Sequence, residues 1–193
     1  MIYVNQLGYP HVHYNHNVAN GGVPEERRNV ATSGCGLCSA CMIVNNLTTK
    51  RLEVEECARL AEECGANERV GSRMRVLGPV IAERYGLVYS TTNDPAELVA
   101  HLQNGGMAVA NVAGDHDDYH GLFSSRSGHY VVIISTDGKE LCVLDPSYQF
   151  GKFDTDSRRG KVRLDIPFIY CSLEDMEADV APRDIHYYLF KRR

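Results

Sequence analysis

Ser33-Gly34-Cys35-Gly36-Leu37-Cys38-Ser39-Ala40-Cys41-Met42 sets a thiol between two glycines, at the mouth of a compact apolar segment that continues to Leu47. Small and apolar residues in an unbroken run suit a buried helix packed closely on its neighbours. Glycine at 34 and 36 lets the chain turn sharply into that helix and leaves room for a substrate chain to approach. The first turn of a helix offers unpaired N–H groups and a partial positive charge. Both favour thiolate over thiol, the form a nucleophilic cysteine needs, and the same N–H groups can hold an oxyanion. Most free cysteines are only small buried residues, so Cys35 takes a catalytic reading from its partners elsewhere in the chain.

Those partners stand in the C-terminal half. Gly128-His129-Tyr130-Val131-Val132-Ile133-Ile134 puts a histidine directly before five apolar residues, at the mouth of a buried strand. Val143-Leu144-Asp145-Pro146 closes a second strand with a carboxylate at its end. Between them Asp137-Gly138 is a strong hairpin signal. Residues 129 and 145 each lie eight positions from Asp137, so a hairpin centred there pairs His129 with Asp145. The carboxylate would orient the imidazole as general base while its other nitrogen faces Cys35. Pro146 fixes the chain as it leaves the strand.

Outward from these segments the pattern gives an α+β order. Helices are expected over Cys35–Leu47, 53–64 and 70–85. A fourth starts at Asp94, with Pro95 in its first position and Glu97 completing a capping box, and runs to about Asn104. Strands are expected over Met107–Val112, 130–135, 141–144 and 186–190. Residues 1–33 are polar beyond a short strand-like start. A helical layer would pack on an antiparallel sheet. With no repeat, low-complexity tract or Pro/Ser linker, residues 1–193 are expected to form one domain.

Taken together these segments resemble a known family. Gly34 to Met42 is similar to the nucleophile helix of the papain-like peptidases that trim double-glycine leaders from bacteriocin precursors. These are the bacterial cysteine peptidases of family thirty-nine, with their stand-alone relatives. Gly128 to Ile133 resembles that family's base strand, and Leu144-Asp145-Pro146 its aspartate. Upstream, Asn5-Gln6-Leu7-Gly8-Tyr9-Pro10 resembles the segment that bears the oxyanion-hole glutamine, which makes Gln6 the matching residue. The resemblance implies a papain-like fold and a cysteine peptidase working through Cys35, His129, Asp145 and Gln6, with no cofactor and no metal. It spans residues 5 to 146 and departs from the commoner pattern at Cys38 and Cys41, where small uncharged residues are usual. The same framework also hosts amidases, acyl or peptidyl transferases and silent peptide-binding modules.

Composition narrows the remaining classes. A net charge of −5 gives no long-range attraction to nucleic acid or an anionic membrane. The local basic clusters, Arg158-Arg159 with Lys161 and Lys191-Arg192-Arg193, read as solvated faces. No run approaches the roughly 20 apolar residues of a membrane span, and the N-terminus lacks a secretory pattern. Seven cysteines without a framework spacing suggest reduced thiols in a cytoplasm. The partner expected is a peptide or protein substrate. Cys35, Cys38 and Cys41 also read as C-x-x-C-x-x-C, but on a helix they would spread over about a third of its circumference. His116 and His120, and the amino-terminal His11, His13 and His16, are the other ligand-rich places; the stretch 115–126 is also a natural cleft wall.

Overall fold

The computed structural model describes residues 1–14, 24–68, 71–116, 119–125 and 127–193. Its helices are α1 (Val30–Ser33), α2 (Cys35–Leu47), α3 (Val54–Glu63), α4 (Met74–Tyr85), α5 (Pro95–Gln103) and α6 (Leu173–Val180). The strands β1 (Asn67–Glu68) and β2 (Gly71–Ser72) form a small hairpin. The remaining strands, β3 (Leu87–Thr92), β4 (Met107–Val112), β5 (His129–Thr136), β6 (Glu140–Leu144), β7 (Val162–Asp165), β8 (Phe168–Ser172) and β9 (Tyr187–Arg192), form one antiparallel sheet in the order β3-β9-β4-β5-β6-β8-β7. The α+β class expected from the sequence is the class observed.

The sheet is covered on both faces because its central strands carry apolar residues on both, as in Val131-Val132-Ile133 of β5. Val132 of β5 packs with Leu37, Ile43, Leu60 and Ile81 in the cluster formed with α2, α3 and α4. Val131 and Ile133 face the other way, into the cluster holding Leu98 of α5 and Met176 of α6. Alternate residues of one strand thus serve two cores. Within α2 only Cys35, Asn45 and Asn46 escape full burial, so the helix is wrapped by the protein on nearly every side.

Several boundaries differ from the sequence reading, each for a local reason. The helix expected over 70–85 begins at Met74, because β2 and its hairpin occupy the residues before it; Val70 lies outside the described residues. Asp94 caps α5 by accepting from the Ala96 N–H at 2.8 Å, but the reciprocal arm is not made. Glu97 takes the Thr92 hydroxyl instead, and Thr92 Oγ1 accepts from the Asp94 N–H at 3.0 Å. The opening residues form no strand, only a short 3-10 turn over Gln6–Gly8. Besides the very short α1, β1 and β2, four elements had no signal strong enough to place them. Strands β3 and β7 lie at the sheet edges, where polar positions interrupt the apolar run. Strand β8 and helix α6 are short and run into each other through Ser172, which caps α6 by accepting from the Asp175 N–H.

Candidate active site

Helix α2 begins at Cys35, with Gly34 as an N-cap that offers no side chain. Both flanking glycines are required by packing. A Cβ on Gly34 would stand 2.3 Å from Val30 Cγ1, and one on Gly36 would stand 2.9 Å from Ser72 Cβ and 3.3 Å from the Tyr130 ring. The space expected to admit a substrate at Gly36 is therefore filled by the protein itself. Bare glycine lets the helix start close against β2 and the first residues of β5.

That approach sets Cys35 beside His129, the first residue of β5. The two side chains line the same cleft, and the imidazole and the N–H groups of Tyr130 and Gly36 are placed to favour the thiolate. Burial alone would raise the Cys35 thiol; the hydrogen bond and charge of His129, with those two N–H groups, outweigh it and bring the thiol below its ordinary value. The other thiols of the C-x-x-C-x-x-C run behave oppositely. Burial pushes Cys38 and Cys41 well above the ordinary value, and the neighbouring Cys57 adds to the effect on both. Among the described residues no three His, Cys, Asp or Glu side chains converge as a metal site would require.

The other side of the imidazole is held by a buried carboxylate. His129 Nε2 donates to Asp145 Oδ1 at 2.8 Å, which leaves Nδ1 for the thiol. The register is not the expected one: Val132 pairs with Leu144 and Ile133 with Val143, after a shift of one residue between Ile133 and Ser135. Continued by one step, Asp145 stands across from Val131, and it meets His129 on the diagonal. Burial would lower the imidazole, but the Asp145 charge and hydrogen bond, with Cys35, raise it to about 9. For Asp145 burial works upward and is overcome by Lys152 first and His129 second, so the carboxyl sits well below the usual range.

Lys152 was not singled out in the sequence. Its Nζ donates to Asp145 Oδ2 and, at 2.7 Å, to Ser147 Oγ; the Ser147 N–H donates to Asp145 Oδ1 at 2.8 Å. Tyr3 donates its hydroxyl to the Asp145 carbonyl at 2.7 Å. Arg158, expected on a solvated face, is buried instead: Nε donates to the Gly121 carbonyl at 2.9 Å and Nη1 to the Lys152 carbonyl at 3.3 Å. Polar turn residues over 147–158 carry no periodicity, so no spacing rule marks a lysine there as a partner of Asp145.

Gln6 lies next to this assembly. Its N–H donates to the Pro146 carbonyl at 2.7 Å, and its Nε2 donates to the Ala31 carbonyl at 2.9 Å, one turn before Cys35. The second amide hydrogen is not used by that bond, and buried Oε1 has no hydrogen-bond partner. Cys35, His129 and Asp145 are thus brought together, His129 bonded to Asp145, with Gln6 tied to Pro146 next to Asp145 and to Ala31 one turn before Cys35, and no direct bond from Gln6 to Cys35.

A cleft of about 190 Å³ opens on Cys35 and His129, lined also by Gly71, Ser72, Ser127 and Gly128. No described residue of 115–125 lines it. Asp115, His116 and His120 are taken up within their own loop, His116 Nδ1 on the Gly114 carbonyl at 2.8 Å and His120 near Asp115 at 3.7 Å; Asp117 and Asp118 lie outside the described residues. His13 lies 3.5 Å from Glu25, the His11 ring packs near Tyr9, and His16 is outside the described residues. Among the described residues no helix is long and apolar enough to cross a membrane.

Comparison with known proteins finds a family and two similar folds. The model of the Peptidase_C39 like family matches residues 6–163. A solved C39-like peptidase from Bacillus anthracis superposes with a TM-score of 0.57 at 15% identity, covering 83% of this chain and 89% of that one. The peptidase domain of Streptococcus ComA, a bifunctional ABC transporter involved in quorum sensing, superposes with a TM-score of 0.51 at 12% identity, covering 82% and 91%. No curated protein matches the chain.

Proposed function

This chain belongs to the Peptidase_C39 like family, and from that premise we propose that it is a cysteine peptidase whose nucleophile is Cys35. The observation that carries the proposal is the row of three. The Cys35 thiol and the His129 imidazole line one cleft, and a buried carboxylate, Asp145, holds that imidazole from behind at 2.8 Å.

The thiolate, left when His129 holds the proton, attacks the carbonyl carbon of an amide bond in a peptide. Negative charge then develops on the carbonyl oxygen, and the Cys35 N–H at the start of α2 stabilises it together with the second amide hydrogen of Gln6. The bond from Nε2 to the Ala31 carbonyl supports this role by fixing which face of the amide carries hydrogens. His129 next gives its proton to the leaving amine, and the C–N bond breaks to leave a thioester on Cys35. Water, deprotonated by His129, hydrolyses the thioester and restores the thiol pair. Throughout, Asp145 keeps the ring in one tautomer and orientation. Seven cysteines with none in a disulfide support work in a reducing cytoplasm.

Incubation of the wild type and Cys35→Ala with a peptide library, read by mass spectrometry, tests this directly. New termini are expected only with the wild type. Iodoacetamide at near-neutral pH is expected to label Cys35 ahead of the other six thiols. Equal labelling of all seven would count against the mechanism.

A further inference from the structure

The cleft at Cys35 continues into a second one. Asn111 and Arg183 line both, and the second, about 380 Å³, carries Arg73, Arg75, Asp184 and Tyr188 on its other walls. Resting on the peptidase reading, we propose that this extension is the recognition subsite for a carboxylate of the peptide substrate, bound by Arg183 and Arg75.

Charge is the first argument. The chain as a whole carries −5, yet three guanidinium groups and a single carboxylate line this groove. The second argument is how Arg183 is held. Its Nη2 donates to the Val112 carbonyl at 2.9 Å and lies 3.4 Å from that of Ala113, which fixes the planar group on the end of β4. Its Nε is buried and has no hydrogen-bond partner. Neither Arg183 nor Arg75 forms an ion pair among the described residues. A guanidinium fixed in this way keeps its positive charge on the groove, where it suits a carboxylate.

Glycine at 128 is what lets Arg183 stand at the cleft. A Cβ there would lie 1.9 Å from Arg183 Nη2, so the residue before His129 is bare and the guanidinium rests against the backbone beside the base. Arg75 comes from the first turn of α4, which contains no acidic residue, and the positive end of that helix adds to its charge. Burial raises the Tyr188 phenol, and Arg75 and Arg183 both pull against it, so the two cations act on one place. Because Arg183 lines the cleft of Cys35 itself, the carboxylate belongs close to the scissile bond.

The test uses Cys35→Ala protein, so it needs no turnover. Three fluorescein-labelled octapeptides are compared by anisotropy: alternating glycine and glutamate with an amidated C-terminus, the glutamine counterpart also amidated, and the glutamine peptide with a free C-terminus. At least one carboxylate-bearing peptide is expected to bind about tenfold more tightly than the amidated glutamine peptide, less so at high salt. The two arms tell a side-chain from a terminal carboxylate. Arg75→Glu, at an exposed position, is expected to lower the preference about fivefold, and Arg75→Gln with Arg183→Gln to abolish it. Equal binding of all three peptides, or a preference that survives in the double variant, would overturn the proposal. A wild type that cleaves nothing in the library while the preference holds would sink the peptidase reading and leave the carboxylate site standing.

Discussion

Asp145 has no exposed surface, and its charge is divided between His129 and Lys152. Its carboxyl is depressed, so the stability it contributes is complete above the unfolded value of about 3.9 and is lost as pH falls through the lower folded value. The His129 imidazole is raised to about 9, so its contribution is complete below about 6.5 and is lost as pH rises through about 9. Lys152→Met leaves the carboxylate with one partner and is expected to cost about 3 kcal/mol at pH 7. That cost should shrink at pH 3, because in the variant Asp145 has lost the lysine that depresses it and can take up a proton there, while the wild-type carboxylate stays ionised. Urea unfolding of both proteins at the two pH values checks it; an equal cost at both would mean the lysine acts through packing. Three residues of the candidate site carry a local mark in the sequence: glycines around Cys35, an apolar run after His129, a strand end and proline at Asp145. Lys152 carries none, and only folding of the 147–158 turns brings it under the carboxylate.

At the level of elements, α2 shows a pattern read correctly for a partly mistaken reason. Its span, Cys35–Leu47, follows from the apolar run, but the glycines at its start serve the helix's own contacts with Val30, Ser72 and Tyr130. Gly36→Ala separates the two effects. Alanine favours a helix over glycine by about 1 kcal/mol, whereas a methyl forced between Ser72 and Tyr130 costs about 1–3 kcal/mol. A lower melting temperature is expected, with Cys35 alkylation slowed about tenfold as the thiol leaves His129 and the Tyr130 N–H. Faster or unchanged alkylation would show that the close approach does not matter. Edge strand β3 escaped notice because what holds it is pairing with distant β9, and a window of a few residues contains no record of that partner; β7 and the β1–β2 hairpin pair locally but are too short and polar to show a strand period.

Across the whole molecule the candidate site straddles two layers: Cys35 comes from the helical layer, while His129 and Asp145 come from the sheet. Helix α2 packs on β5, so the sheet's central strand binds the layers together. We expect residues 1–193 to unfold as one unit. Far-UV circular dichroism and the exposure of buried Cys41 and Cys57 to a thiol reagent should then share one urea midpoint, and separated midpoints would divide the chain. Layer order and sheet class were legible because the helical and strand periods occupy different parts of the sequence. The pairing of β5 with β6 was legible only as a hairpin, since the extra residue near Ile134 leaves no trace in composition.

That extra residue has an arithmetical consequence. Near the turn Thr136 pairs with Leu141 and Ser135 with Cys142; carried on unbroken, that count would set Asp145 opposite Val132, on the pleat opposite to His129. One uncounted residue makes the partner Val131 instead and returns acid and base to a common parity. Changes of chain length between Ile134 and Asp145 are therefore felt as odd or even: one residue added or removed separates the pair, while two leave them on the same side.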